Sequence, residues 1–339
     1  MLYYSDRNYG CRFLEVEIHG QRSLIMENEK IRITVVLDAG GRIMEFLHKL
    51  TDIDFMWRTP IGMSSLSKKH VQYADPFHGT YAGGWFEAFP NVGLDCTYKN
   101  ASLNSYDELV YLPWEYEVKK DSPDEIQIRM FVKLLKTPFF VEKTLTLKSN
   151  DPTLYTSEKA TNTGNQTMDY QWGHHPNIGF PFLDEYCFIE LAGADINIHA
   201  AMEKSRLVQG SSGKWPEIEA KNGQMLDLRN VPNADAGVSD LVWLSNLKKK
   251  EITVVNQKKN LSFRMTWDPN IFTNCLLWIV ANGDPGFPRY NSTYVLCILP
   301  STSEIHTLEK ASEAGDCKKL KPGETIETWI DAKIEFPYS

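Results

Sequence analysis

The chain has 339 residues, of which 42% are hydrophobic and 24% charged, with a formal net charge of -8. This composition excludes disorder as the default, and the 36 basic residues are dispersed rather than gathered into the stripe that a phosphate backbone needs, so no nucleic-acid partner is expected. The N-terminus lacks a basic segment followed by a long apolar core, and apolar runs such as CLLWIVA at 275–281 are too short to span a bilayer. A cytoplasmic protein with no membrane partner is the expectation.

In chain order, short segments rich in β-branched and aromatic residues recur between turn signals: CRFLEVEIHG, SLIMENEKIRITVVLDAGG, EIQIRMFVKLL, FFVEKTLTLKSNDP, EITVVNQ, LSFRMTW, YVLCILP and ETIETWIDAKIEF. In FFVEKTLTLK, Val141, Lys143, Leu145 and Leu147 share one face while Glu142, Thr144, Thr146 and Lys148 share the other, the period of a half-buried strand. Asn150-Asp151-Pro152 then marks a turn. Long amphipathic helices are missing, and no strand-helix alternation suggests a parallel sheet. An all-β fold, a large antiparallel sandwich forming a single domain over 1–339, is predicted.

Segment 60–105 differs from the rest, being loop-like and unusually aromatic, which suits the wall of a binding cleft. The six cysteines (Cys11, Cys96, Cys187, Cys275, Cys297, Cys317) are scattered without metal-ligand spacing and read as reduced thiols.

The stretch QWGHHPNIGFPFLDE at 171–185 carries adjacent histidines, His174 and His175. On an extended strand they point to opposite faces, so one histidine at most looks into a given pocket. Adjacent histidines also have the wrong spacing to chelate one metal from a helix face, and no metal is expected. There is no P-loop, dinucleotide glycine fingerprint, GxSxG elbow or HExxH helix. What remains suits a small polar ligand: Trp57, Trp85, Phe86, Trp172, Trp243, Trp278 and Tyr290 as stacking surfaces, and Arg42, Asn91, Glu108 and Asp240 as hydrogen-bonding groups. The same aromatics equally suit the core of an all-β protein. Arg289 in GFPRY reads as an exposed loop arginine, with a phosphate or carboxylate on a sugar as the other reading.

Six stretches, GGWFEAFPNVG (83–93), LPWEY (112–116), TPFFVEKTLTL (137–147), NTGNQTMDYQWGHHPNIGFPFL (162–183), FRMTWDP (263–269) and KPGETIETWIDAKI (321–334), together resemble the galactose mutarotase-like superfamily, in particular aldose 1-epimerase-related proteins of a divergent branch. The resemblance runs from about residue 25 to the C-terminus. It implies a β-supersandwich whose concave face holds a sugar, with no cofactor. It also implies interconversion of sugar anomers, a histidine acid protonating the ring oxygen while a carboxylate base takes the proton of the C1 hydroxyl. Carried over residue by residue, the acid is His175. The substrate-binding set is Arg42, Trp85, Asn91, Tyr106, His174, Asp240 and Trp278, although His174 points to the opposite face from His175.

Two departures stand out. The family's base is a glutamate directly before a proline, and this chain reads CILPS, with Leu299 at that place. A second family histidine is replaced by Tyr106 in SYDELVYLPW. Glu108, Glu87, Asp284 and Glu304 are the candidate carboxylates to replace the base, Glu108 being the preferred substitute. Three functions follow: an aldose 1-epimerase-like isomerase acting on a small-molecule sugar, a non-catalytic sugar-binding module that has lost the base, or, more weakly, a lyase or glycoside hydrolase. Hydrolysis asks for two carboxylates across the scissile bond, and no such pair is visible in the spacing. Nothing in the pattern sets an oligomeric state.

Overall fold

Alternation of apolar and polar side chains builds the sheets. In Phe139–Lys148, Phe139, Val141, Lys143, Leu145 and Leu147 all point inward and are buried. Its partner Glu125–Lys133 buries Ile126, Ile128, Met130 and Val132 in the same rhythm. The computed structural model describes residues 7–60, 62–63 and 81–336. Part of the aromatic loop segment, residue 61 and residues 64–80, therefore lies outside the described residues.

Among the described residues the strands form a 14-stranded sheet and an 8-stranded sheet, with two small two-stranded ribbons. The named strand pairs of both large sheets are antiparallel. The larger sheet has at its centre, side by side, Arg42–His48, Trp85–Ala88, Gly173–Ile178, Tyr294–Ser301, Asn274–Ala281 and Val238–Ser245. The smaller sheet runs Cys187–Glu190, Glu251–Asn256, Leu261–Trp267, Thr325–Glu335, Thr153–Asn162, Phe139–Lys148, Glu125–Lys133 and Glu115–Asp121. Each segment predicted as a strand is one, and the sandwich is all-β as expected. The turn at Asn150 takes a left-handed conformation, φ 59°, which asparagine tolerates better than most residues.

The two sheets pack through one large apolar cluster. Phe46 meets Phe263 of the opposite sheet edge-on at 5.4 Å, and Phe89 meets Phe139 at 4.9 Å. A second, smaller cluster lies on the larger sheet and holds Phe86, Trp243, Leu276, Trp278, Cys297 and Leu299. The helix Leu308–Ala314 starts at Thr307, whose side chain accepts from Lys310 N, and stops at Gly315 with φ 71°. Among the described residues no helix is long and apolar enough to cross a membrane. All six cysteines are free thiols.

Candidate functional site

Strand register brings the second cluster together. Phe86 pairs with His175, Leu299 with Leu276, and Leu276 with Trp243. Because Gly173 lies opposite Ser301 and Asn177 opposite Cys297, His175 lies opposite Leu299. One face of five neighbouring strands therefore carries the row Phe86, His175, Leu299, Leu276, Trp243. Beside it runs Asn177, Cys297, Trp278, Leu241. Over these rows sits a cavity of about 240 Å³. His175, Leu299, Leu276, Trp243, Trp278 and Leu241 line it from the sheet; Tyr81, Val92, Gly93, Leu94, Ser105, Tyr106, Met202, Arg289 and His306 line it from the loops. It is smaller than the ~300–1,000 Å³ usual for drug-sized ligands, so it suits one small molecule.

His175 is held on two sides by rings. It stacks on Phe86 at 4.5 Å with planes 15° apart, and Tyr106 meets it edge-on at 5.3 Å. Cys297 Sγ lies 3.2 Å from Nδ1 and 3.5 Å from Nε2. Burial disfavours the imidazolium and pushes the His175 pKa down to about 3, so the ring is neutral at physiological pH. Tyr106 reaches this place through a left-handed backbone, φ 59°, followed by Asp107 at φ 49°. A bulky residue seldom adopts that conformation, and its appearance at a cavity wall marks a position held by its surroundings. Burial raises the Tyr106 phenol further above its ordinary value, which removes it as a proton carrier near neutrality. Gly93 is required for a different reason: a Cβ there, at φ 141°, would lie 2.3 Å from the carbonyl oxygen of His306.

His174 faces the opposite way, into the layer between the sheets. The Trp85 indole N–H donates to its Nδ1 at 3.1 Å, so Nε2 carries the proton and donates to Glu158 Oε2 at 2.9 Å. Glu87, Glu158 and His174 offer donor atoms within 4.8 Å of one another, a metal-like grouping. A cation is already supplied by the Lys143 ammonium, which contacts Glu87 and lies 4.9 Å above the Trp114 ring. Burial raises both carboxyls to about 7; the Glu158 charge adds to the rise at Glu87, and Lys143 works against it at both. His174 is pushed down to about 4 by the same burial.

Of the expected site residues, His175, Tyr106 and Trp278 line the cavity. Arg42 lies just behind it, its guanidinium 5.5 Å from the Tyr81 ring and 5.4 Å from the Phe86 ring. Five other expected residues are placed outside the cavity lining. Trp85 and His174 bond each other on the far side of the sheet. Asn91 spends its amide on the carbonyls of Leu94 and Asn104 and its oxygen on Leu308 N. Asp240 is fully buried, accepting from Ser205 Oγ and from the backbone and guanidinium of Arg206. Glu108, the preferred substitute base, has both oxygens filled by the backbone N–H groups of Leu135 and Lys136 at 2.9–3.1 Å.

The other carboxylates fare no better as bases. Glu87 is in the inter-sheet layer, and Asp284 is paired with Arg289 at 2.7 Å. Glu304 pairs with His199 at 2.5 Å in a neighbouring hollow that shares His306 and Leu94 with the cavity. Leu299 itself is in the cavity wall, 1% exposed. Among the described residues, no carboxylate lines this cavity.

Tyr81, Ser105, Arg289 and His306 are the polar lining groups outside the expected site set. Arg289 is not an exposed loop residue: its side chain is 12% exposed and packs 4.8 Å from the Trp278 ring. His306 follows the strand Tyr294–Ser301 without any motif around it; the Trp243 indole N–H donates to its Nε2 at 3.3 Å.

Solved structures share this architecture. A protein from Klebsiella pneumoniae provisionally described as an aldose 1-epimerase superposes with a TM-score of 0.74 at 17% identity, over 96% of this chain and 87% of that one. A galactose mutarotase-like protein from Clostridium acetobutylicum gives 0.67 at 14% identity, over 96% and 99%. A galactose mutarotase related enzyme from Lactobacillus acidophilus gives 0.61 at 15%, over 92% and 97%. At these identities the likeness is one of fold, and the fold is galactose mutarotase-like. No curated protein matches the sequence. Residues 116–334 match the model of a family described as a domain of unknown function, DUF4432, and the chain belongs to that family.

Proposed function

We propose that the protein binds a monosaccharide-sized carbohydrate in the His175 cavity without the acid-base pair that anomer interconversion uses. The observation that carries this reading is the pairing of His175 with Leu299 in a cavity where, among the described residues, no carboxylate is present. Trp243 and Trp278 give the apolar faces on which a sugar ring stacks. His175, Tyr106, Tyr81, His306 and Arg289 give hydrogen-bonding groups at the wall. The fold neighbours described as aldose 1-epimerase and galactose mutarotase-like proteins support the same ligand class.

A neutral imidazole with a pKa near 3 is a poor acid for a ring oxygen, and leucine takes no proton. The second reading, mutarotation, draws on one observation: His175 and His306 both line the cavity, and burial keeps both imidazoles from charging. Titration of an aldose panel followed by calorimetry tests binding, and saturation-transfer NMR on the same samples tests turnover. Binding without exchange supports the first reading; exchange abolished by His175→Ala supports the second.

A further inference from the structure

The charges around the cavity do not balance. Asp284 engages Nη1 of Arg289 alone, and Arg289 Nε is buried without a partner. That pair is neutral, and the imidazoles lining the cavity are kept from charging by burial. Arg42 is left over. It is 5% exposed, its one hydrogen bond is a long one from Nη1 to the Gly83 carbonyl at 3.4 Å, and its Nε has no partner. Among the described residues no carboxylate pairs with it, and burial lowers its pKa.

The ring faces of Tyr81 and Phe86 compensate this charge in part. Ring faces supply no formal negative charge, so the guanidinium stays buried without a counter-ion. Both guanidiniums act on the same two cavity groups, since His175 and Tyr81 each feel the field of Arg42 and of Arg289. They flank one space, and that space lacks one negative charge.

We propose that the ligand of this cavity carries an anionic group, a carboxylate or a phosphate on a sugar-sized body, received by Arg289 with Arg42 as the balancing charge. The proposal rests on the carbohydrate reading of the same cavity. Arg289 has the geometry for it: its planar fork is anchored on Trp278 and by Asp284 while Nε stays free for an incoming oxygen.

The test is calorimetric titration of the full chain at one ionic strength with galactose and glucose, with their uronates, and with their 6-phosphates; acetate and inorganic phosphate alone are the anion controls. The expected result is that the uronate or the phosphate form of one sugar binds at least about tenfold tighter than the neutral parent, with the controls weaker than either. The arm that gains identifies the anion. Arg289→Gln should remove that gain, and Arg289→Lys, which keeps the charge, should retain part of it. Neutral sugars binding as tightly as their anionic forms would overturn the proposal and leave the carbohydrate reading standing. A gain that survives in folded Arg289→Gln would overturn the role of Arg289. No binding of any of the six sugars would overturn both readings.

Discussion

His175 and Leu299 face each other across the neighbouring strands Gly173–Ile178 and Tyr294–Ser301, on the cavity side of the larger sheet. The position is within reach of the same ligand, and it offers a hydrocarbon where proton transfer asks for a carboxylate. On the sugar-binding reading the wild-type protein shows no mutarotation, and Leu299→Glu should confer a measurable rate. The new carboxyl would be buried, which raises its pKa toward the range of a useful base and costs about 1–3 kcal/mol of stability. Polarimetry and urea unfolding on the same preparation check both; a folded, sugar-binding Leu299→Glu protein with no activity would count against Leu299 as the missing base.

The two tryptophans of the expected substrate-binding set, Trp85 and Trp278, should separate. Trp278→Ala removes a wall of the cavity and should weaken sugar binding by about tenfold or more. Trp85→Phe removes the N–H that His174 accepts together with part of a buried ring in the inter-sheet core, so it should cost about 2–4 kcal/mol of stability and leave affinity within about twofold. Calorimetry with matched thermal melts distinguishes the two, and equal affinity losses would contradict the assignment of faces.

Asp240 should behave as a structural residue. Its carboxylate ties down Ser205 and Arg206, and Asp240→Asn breaks a buried charge-assisted pair. A loss of about 2–3 kcal/mol is expected in urea unfolding, with sugar affinity unchanged in the folded fraction.

The inter-sheet carboxyls set a pH dependence of definite sign. Glu87 and Glu158 have raised values in the folded state, so the fold prefers their protonated form. Their contribution is fully present below the ordinary carboxylate value and is lost as pH rises through the folded value. Glu158→Gln keeps an oxygen to accept from His174 and supplies an amide N–H for Glu87. The stability of Glu158→Gln relative to the wild-type protein should rise between pH 5.5 and pH 8.5. His175 lies on the other face and titrates alike in both proteins: its lowered value contributes stability present above about 6.5 and lost as pH falls toward about 3, so this term cancels in the difference. His174 bonds residue 158 directly, and its contribution is fully present above about 6.5, so the interval from pH 6.5 to 8.5 reads the carboxyls alone. A penalty that stays flat or grows with pH across that interval would contradict the raised values of the pair.

Period-two alternation made the strands legible, because burial on one face is a local property of each strand, as in Phe139–Lys148. The same rule separated His174 from His175. The cavity was less legible because its floor is a row of residues from five strands, and cross-strand register is set by the whole sheet. Glu108 looked free for the same kind of reason: its partners, the N–H groups of Leu135 and Lys136, lie 27 and 28 residues away. Arg289 looked like a loop residue because a turn sequence does not reveal that its side chain folds back over Trp278.

The central claim is that the His175 cavity receives a sugar without interconverting its anomers. Saturation-transfer NMR on an aldose and its anionic derivatives, at ligand concentrations where calorimetry shows the protein saturated, tests it most directly. The account predicts bound ligand with anomer exchange at the uncatalysed rate. Exchange accelerated by the wild-type protein and lost in His175→Ala would contradict it.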